Sequence, residues 1–156
     1  MNTNVRIAKL FSLTLCFVLS VGIAKAQEVK GTARMEQIRI TIGKVRSGQT
    51  TDARTDAAEH LASLVRNLTK EQITEPLVTE ISSLLDSPDD SVRYWVARSL
   101  GNIGPAAKSA VPKLEKMLPT ADCIDGAITS AGGIRDALIQ MGVKPGAPPN
   151  CNRIAL

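Results

Sequence analysis

Aromatic residues are scarce in this chain, whose 156 residues include one Trp, one Tyr and two Phe. Both phenylalanines, Phe11 and Phe17, lie near the N-terminus, so the remainder has only the adjacent pair Tyr94 and Trp95. A core without Phe must be built from Leu, Ile, Val and Ala, which suits closely packed helices. The composition therefore predicts an all-α domain with a single aromatic pair.

Residues typical of catalytic and metal sites are also scarce. His60 is the only histidine, and no Cys or His lies at metal-ligand spacing from it. The sequence has neither a nucleophile elbow nor a Gly-rich phosphate loop after a strand. Asp122 and Asp125 flank Cys123, where helix capping competes with calcium binding or acid–base chemistry. We therefore expect no enzymatic activity, no cofactor and no metal.

The first 26 residues have the pattern of a signal peptide. Arg6 and Lys9 precede an apolar run over residues 10–23, and Ala24-Lys25-Ala26 offers small residues at a cleavage site. The run is shorter than the about 20 residues of a membrane span, although an uncleaved anchor is the alternative. We expect an exported protein, periplasmic or secreted, without stable membrane insertion after cleavage.

The charge of the chain argues against a nucleic-acid partner. The signal segment holds three of the 19 Lys and Arg and none of the 15 Asp and Glu. After cleavage 16 basic residues face 15 acidic ones, a net charge of about +1. A nucleic-acid-binding surface usually has a larger basic excess. We therefore expect no nucleic-acid partner.

Internal repeats dominate residues 27–142. The segments that begin at Asp52 and Ser91 align at an offset of 39, which matches Arg54 to Arg93. A third, more degenerate copy ends at Gly142. Each unit has two apolar stripes at helical spacing, separated by turn residues, and so predicts a pair of helices. In the second unit the stripes are Ile73, Leu77, Ile81, Leu84 and Leu85, followed by Val92, Val96, Leu100 and Ile103.

The second unit carries a family resemblance. "LLDSPDDSVR", from Leu84 to Arg93, followed by Ala97, Leu100, Gly101, Ile103 and Gly104, resembles a HEAT or HEAT-like repeat. The resemblance covers roughly residues 35–142 and implies a short α-solenoid of about three helix pairs. It also implies a structural ladder of charged side chains between successive turns, with Asp52, Arg54, Asp89, Asp90 and Arg93 at the matching positions.

The family resemblance implies an interaction module. We expect an exported, non-enzymatic protein that serves as a protein–protein interaction or scaffold module. A periplasmic immunity or inhibitor protein that neutralises a toxin or hydrolase is the alternative, and a HEAT-like lyase or glycosylase is the alternative of another class. Candidate partner contacts lie off the apolar stripes: Tyr94, Arg98, Arg66 and His60. Trp95 borders a stripe and is expected to pack, whereas Tyr94 is expected to point to the surface.

The C-terminal region combines a predicted helix, a tail and two cysteines. Gly132-Gly133 predicts a break in a last helix of about 17 residues. The Pro- and Gly-rich residues 143–156 predict an extended tail packed on the last repeat. Cys123 precedes the helix and Cys151 lies in the tail, and such pairs usually bridge in exported proteins. We predict an intramolecular disulfide, with an intermolecular bridge or free thiols as alternatives.

Overall fold

The structure is a computed structural model that describes residues 31–123 and 128–146. The chain divides into two units, Met1–Glu36 and Gln37–Leu156. Residues 31–36 of the first unit are helical, and the second unit contains the contacts considered below. The described residues form helices and turns without a strand, which confirms the all-α class.

The helices are numbered in chain order. Within the described residues, helix α1 includes 31–47, of which 37–47 belong to the second unit. It is followed by α2 (Thr51–Val65), α3 (Glu75–Ser83), α4 (Asp90–Ile103), α5 (Val111–Met117) and α6 (Ser130–Gln140). Short 3-10 segments follow α3, α4 and α5: Leu84–Asp86, Gly104–Ala110 and Leu118–Thr120.

Local sequence signals determine where these helices begin and end. The Thr50 hydroxyl accepts a hydrogen bond from the Ala53 N–H at 3.1 Å and caps α2. Helix α4 ends at Gly104, whose φ of +71° is a conformation that residues with a Cβ rarely adopt. These are the usual ways of satisfying the free backbone groups at helix ends.

Helix α6 differs from its prediction. It has 11 residues, because Thr129 caps its start by accepting from the Gly132 N–H at 3.4 Å. Gly132 and Gly133 both lie inside the continuous helix, so the predicted break is wrong. Gly133 is instead required by a close contact between helices, described below.

The apolar stripes of the repeat units form the core. Val92, Val96 and Leu100 on α4 are fully buried, and Leu77 and Ile81 on α3 are buried as well. Burial of each such side chain stabilises the fold by about 1.5–3 kcal/mol. Helix α4 is central, since it packs against α2 on one side and α6 on the other.

Helices α2, α4 and α6 run parallel and in register. Near their starts, Thr51 bonds Asp89 and the Ser130 N–H bonds Asp90, at sequence separations of 38 and 40. Nearer their ends, Asn102 bonds the Ala62 carbonyl and Arg98 bonds Asp136, at separations of 40 and 38. An antiparallel pair would change this separation by two for every residue, so a nearly constant value requires parallel neighbours.

Candidate interaction surface

Arg54 joins the turn between α1 and α2 to the start of α4. Its Nε donates to Asp89 Oδ2 at 2.7 Å, and its Nη1 donates to the Gly48 carbonyl at 2.7 Å. The Thr51 hydroxyl donates to Asp89 Oδ1 at 3.1 Å. Both charged side chains are mostly shielded, with 24% and 14% of their surface exposed. Hydrogen bonds from Arg54 hold the pKa of Asp89 below its usual value, although partial burial opposes this shift.

Arg93 repeats this arrangement one unit later. Its Nη1 donates to the Ser87 carbonyl at 2.9 Å, and Ser87 lies six residues before Arg93 as Gly48 lies six before Arg54. Its Nη2 donates to Asp90 at 3.0 Å and to Asp122 at 3.1 Å. The guanidinium therefore connects the second pair to the segment that precedes α6.

The charged residues predicted from the repeat do not all share these contacts. Arg54 meets Asp89 and Arg93 meets Asp90, whereas Asp52 lies exposed in the first turn of α2. The sequence predicts helix capping, calcium binding or acid–base chemistry for Asp122, and the structure pairs it with Arg93. Its offset of 33 from Asp89, the same as that from Leu85 to Leu118, is the sequence signal that identifies it as the partner of Arg93.

The aromatic pair lies on α4, and its Tyr94 contacts α6. The rings of Tyr94 and Trp95 meet edge to face, with centroids 5.0 Å apart and planes at 76°. A Cβ added at Gly133 would lie 2.9 Å from the Tyr94 carbonyl oxygen and 2.9 Å from its ring Cδ2. Tyr94 therefore contacts the start of α6 with part of its side chain, a contact that the expected orientation toward the surface did not include. Both aromatic side chains are half-buried.

The other candidate contact residues occupy separate places. Arg98 is half-buried on α4 and forms an ion pair with Asp136 of α6 at 3.1 Å. His60 is exposed on α2 and Arg66 is exposed directly after it, and a separation of six residues places them about 120° apart around the helix. The four predicted residues therefore do not form one patch, and Arg98 lies nearest to the aromatic pair.

A groove of about 340 Å³ lies between the end of α1 and the turn that joins α3 to α4. Its apolar wall includes Val45 and Leu84, and its polar wall includes Arg46 and Arg54. Both guanidinium groups are already ion-paired, Arg46 with Glu80 at 3.2 Å and Arg54 with Asp89. The groove therefore offers a concave surface and the hydroxyl groups of Ser83 and Ser87, while both arginine charges are already compensated by ion pairs.

Chemistry-bearing side chains are dispersed over the described part of the chain. Within residues 31–123 and 128–146, no group of three His, Cys, Asp or Glu side chains is placed to hold a metal ion. Asp125 and Cys151 lie outside the described residues, as does the segment 1–26. Among the helices that are described, none is long and apolar enough to cross a membrane.

Comparisons with known proteins add no relative. No family model matches the chain, and neither a curated protein nor a solved structure matches it.

Proposed function

We propose that this protein is a short α-solenoid of HEAT-like helix pairs that serves as a non-enzymatic scaffold for a protein or peptide partner. The supporting observation is the parallel, in-register packing of α2, α4 and α6. Such an array presents the same side of successive helices as one continuous surface. The charged contacts of Arg54 and Arg93 tie neighbouring pairs together, so the surface is held in a fixed shape before a partner arrives.

The partner surface that we propose is centred on Trp95 and Arg98. These residues are three apart on α4 and therefore neighbours on its surface. Both are half-buried, so each has atoms left to contact a partner while its remaining atoms are held in place. Trp and Arg are also the residue types that most often dominate binding energy at protein interfaces. Tyr94 supports Trp95 through the ring contact, and His60 and Arg66 lie outside this centre.

Affinity capture with matched variants tests this proposal. Arg98→Ala and Lys113→Ala each remove one surface ion pair, with Asp136 and Asp86 respectively, so their stabilities should change by a similar, small amount. We expect capture of a partner from the envelope fraction to fall at least about tenfold for Arg98→Ala and to persist for Lys113→Ala. The proposed surface is refuted if both variants capture every partner equally.

Export is part of the same proposal. We expect cleavage of residues 1–26, followed by residence in the periplasm or outside the cell. Intact-mass measurement of the protein recovered from its compartment tests this, because cleavage after Ala26 leaves a chain that begins at Gln27. A full-length mass in a membrane fraction would instead support the uncleaved anchor.

The predicted disulfide belongs to this exported state. Pairing of Cys123 with Cys151 would fasten the tail, residues 143–156, to the last repeat and stabilise it by about 3 kcal/mol in the chain-entropy model. Thiol titration before and after reduction, with non-reducing electrophoresis, distinguishes the three alternatives. Two titratable thiols in the native exported protein would exclude the bridge, and a covalent dimer would show that it is intermolecular.

A further inference from the structure

Each of the parallel helices contacts the next one through a defined set of residues. On α4 the residues that meet α6 include Tyr94, Arg98 and Gly101. A Cβ at Gly101 would lie 3.0 Å from the Ala137 Cα, Arg98 pairs with Asp136, and Tyr94 lies against Gly133. With Ala97, which is fully buried, these residues form one stripe at spacings of three and four along α4.

Helix α6 carries the equivalent stripe. The final glycines fix the correspondence, because Gly104 and Gly142 follow α4 and α6 with matching φ values of +71° and +79°. Adding this offset of 38 to the residue numbers of the α4 stripe gives the four equivalent residues on α6. They are Gly132, Arg135, Asp136 and Ile139. We call this set the α6 stripe.

Three of the four residues of the α6 stripe are exposed, and the fourth, Arg135, is half-buried, whereas their counterparts on α4 are buried or half-buried. Ile139 is 56% exposed, although the equivalent Gly101 is buried, and so is Ala62, the next equivalent residue at an offset of 39. Gly132 is exposed, and a Cβ there would meet only the Thr129 hydroxyl, at 3.6 Å. The described residues therefore leave a helix-packing face open at this end of the array.

The stripe is complementary to itself. In an antiparallel helix pair related by a two-fold axis, facing residues have numbers with a constant sum. A two-fold axis between Arg135 and Asp136 places Arg135 of each copy opposite Asp136 of the other copy. The same axis places Ile139 over Gly132 of the second copy, where the missing side chain leaves room. Arg135 forms no ion pair with a described residue.

We propose that two copies of this chain associate through the α6 stripe, with the two α6 helices antiparallel across a two-fold axis. Two ion pairs between Arg135 and Asp136 and two contacts between Ile139 and Gly132 would then form together. An isologous contact of this kind closes on itself, so the array stops at a dimer and does not extend into a filament.

Mass measurements test the dimer. Sedimentation equilibrium or light scattering over a concentration series should give the mass of two chains for the wild-type protein. Ile139→Asp should weaken the dimer on the order of a hundredfold, because it replaces two buried apolar contacts with charges. Ile40→Asp is the matched control, since Ile40 is 46% exposed on α1, and it should leave the dimer intact. A wild-type monomer up to millimolar concentration, or a dimer that survives Ile139→Asp, would overturn the proposal.

Cross-linking tests the register without depending on Ile139→Asp. Positions 132 and 139 lie about 10.5 Å apart along one helix, too far for a disulfide within one chain. In the proposed dimer the two copies of position 132 are separated by the same distance along the helix axis, as are the two copies of position 139, so identical positions cannot bridge either. A mixture of Gly132→Cys and Ile139→Cys proteins should therefore form a covalent dimer under oxidation, while neither variant alone does so. Equal cross-linking of the single variants would overturn this register. Protection of the Ile139→Cys thiol in a monomer would show that the chain's own terminal residues 147–156 cover the stripe, which also overturns the proposal.

Discussion

Substitution by alanine is expected to have opposite effects on stability at the two adjacent glycines of α6. At Gly133 a new Cβ would lie 2.9 Å from the Tyr94 carbonyl oxygen and 3.2 Å from its Cα. These are backbone atoms, so the helices must shift, and overpacking of this kind costs about 1–3 kcal/mol. Better helix propensity returns up to about 1 kcal/mol. Gly133→Ala should therefore destabilise the protein by about 1–2 kcal/mol, or lower Tm by roughly 4 °C per kcal/mol.

Gly132→Ala is the matched control. Within its own chain the new Cβ meets only the Thr129 hydroxyl, at an ordinary 3.6 Å, so at concentrations where the protein is monomeric the gain in helix propensity is not opposed. We expect a stabilisation of up to about 1 kcal/mol. Urea unfolding followed by circular dichroism measures both variants. If Gly133→Ala stabilises the protein as much as Gly132→Ala does, α4 and α6 do not approach each other in the way described.

Two further predictions concern the charged contacts between helix pairs. Arg93→Ala should cost about 2–3 kcal/mol of unfolding free energy, because it leaves the part-buried Ser87 carbonyl and Asp90 carboxylate without their donor. Arg46→Ala, which removes a half-exposed ion pair, should cost less than about 1 kcal/mol, and equal losses would contradict the structural role of Arg93. The lowered pKa of Asp89 contributes stability above its unfolded pKa of about 4, and this contribution disappears as the pH falls through the lower folded value. Acid unfolding curves should therefore show a smaller acid-dependent loss for Asp89→Asn than for the wild type, and parallel curves would refute the contribution of this pair.

The helical class and the core could be predicted from the sequence because both depend on local patterns. Val92, Val96 and Leu100 recur at helical spacing, and all three are buried. The offset of 39 also located both arginines, since equivalent positions in a repeat have equivalent surroundings.

The contacts between neighbouring units could not be predicted in the same way. Whether Tyr94 faces solvent or α6 depends on how closely two helices approach, and Gly133, which permits the approach, is 39 residues away. A pair of glycines in isolation favours a break, because glycine weakens a helix. That Gly133 is a packing position can be recognised only from its contact with the neighbouring helix. The exposure of Ile139 was missed for the same reason, since it depends on the absence of a following helix among the described residues.

The parallel register of α4 and α6 is the central claim, and one measurement tests it directly. Tyr94 is the only tyrosine, so nuclear Overhauser contacts from its ring are assigned without ambiguity. The structure predicts strong contacts from the Tyr94 ring to Gly133 near the start of α6, and from Gly101 to Ala137 near its end. Contacts from Tyr94 to the end of α6, or none to α6 at all, would contradict the parallel packing on which the proposed surface depends.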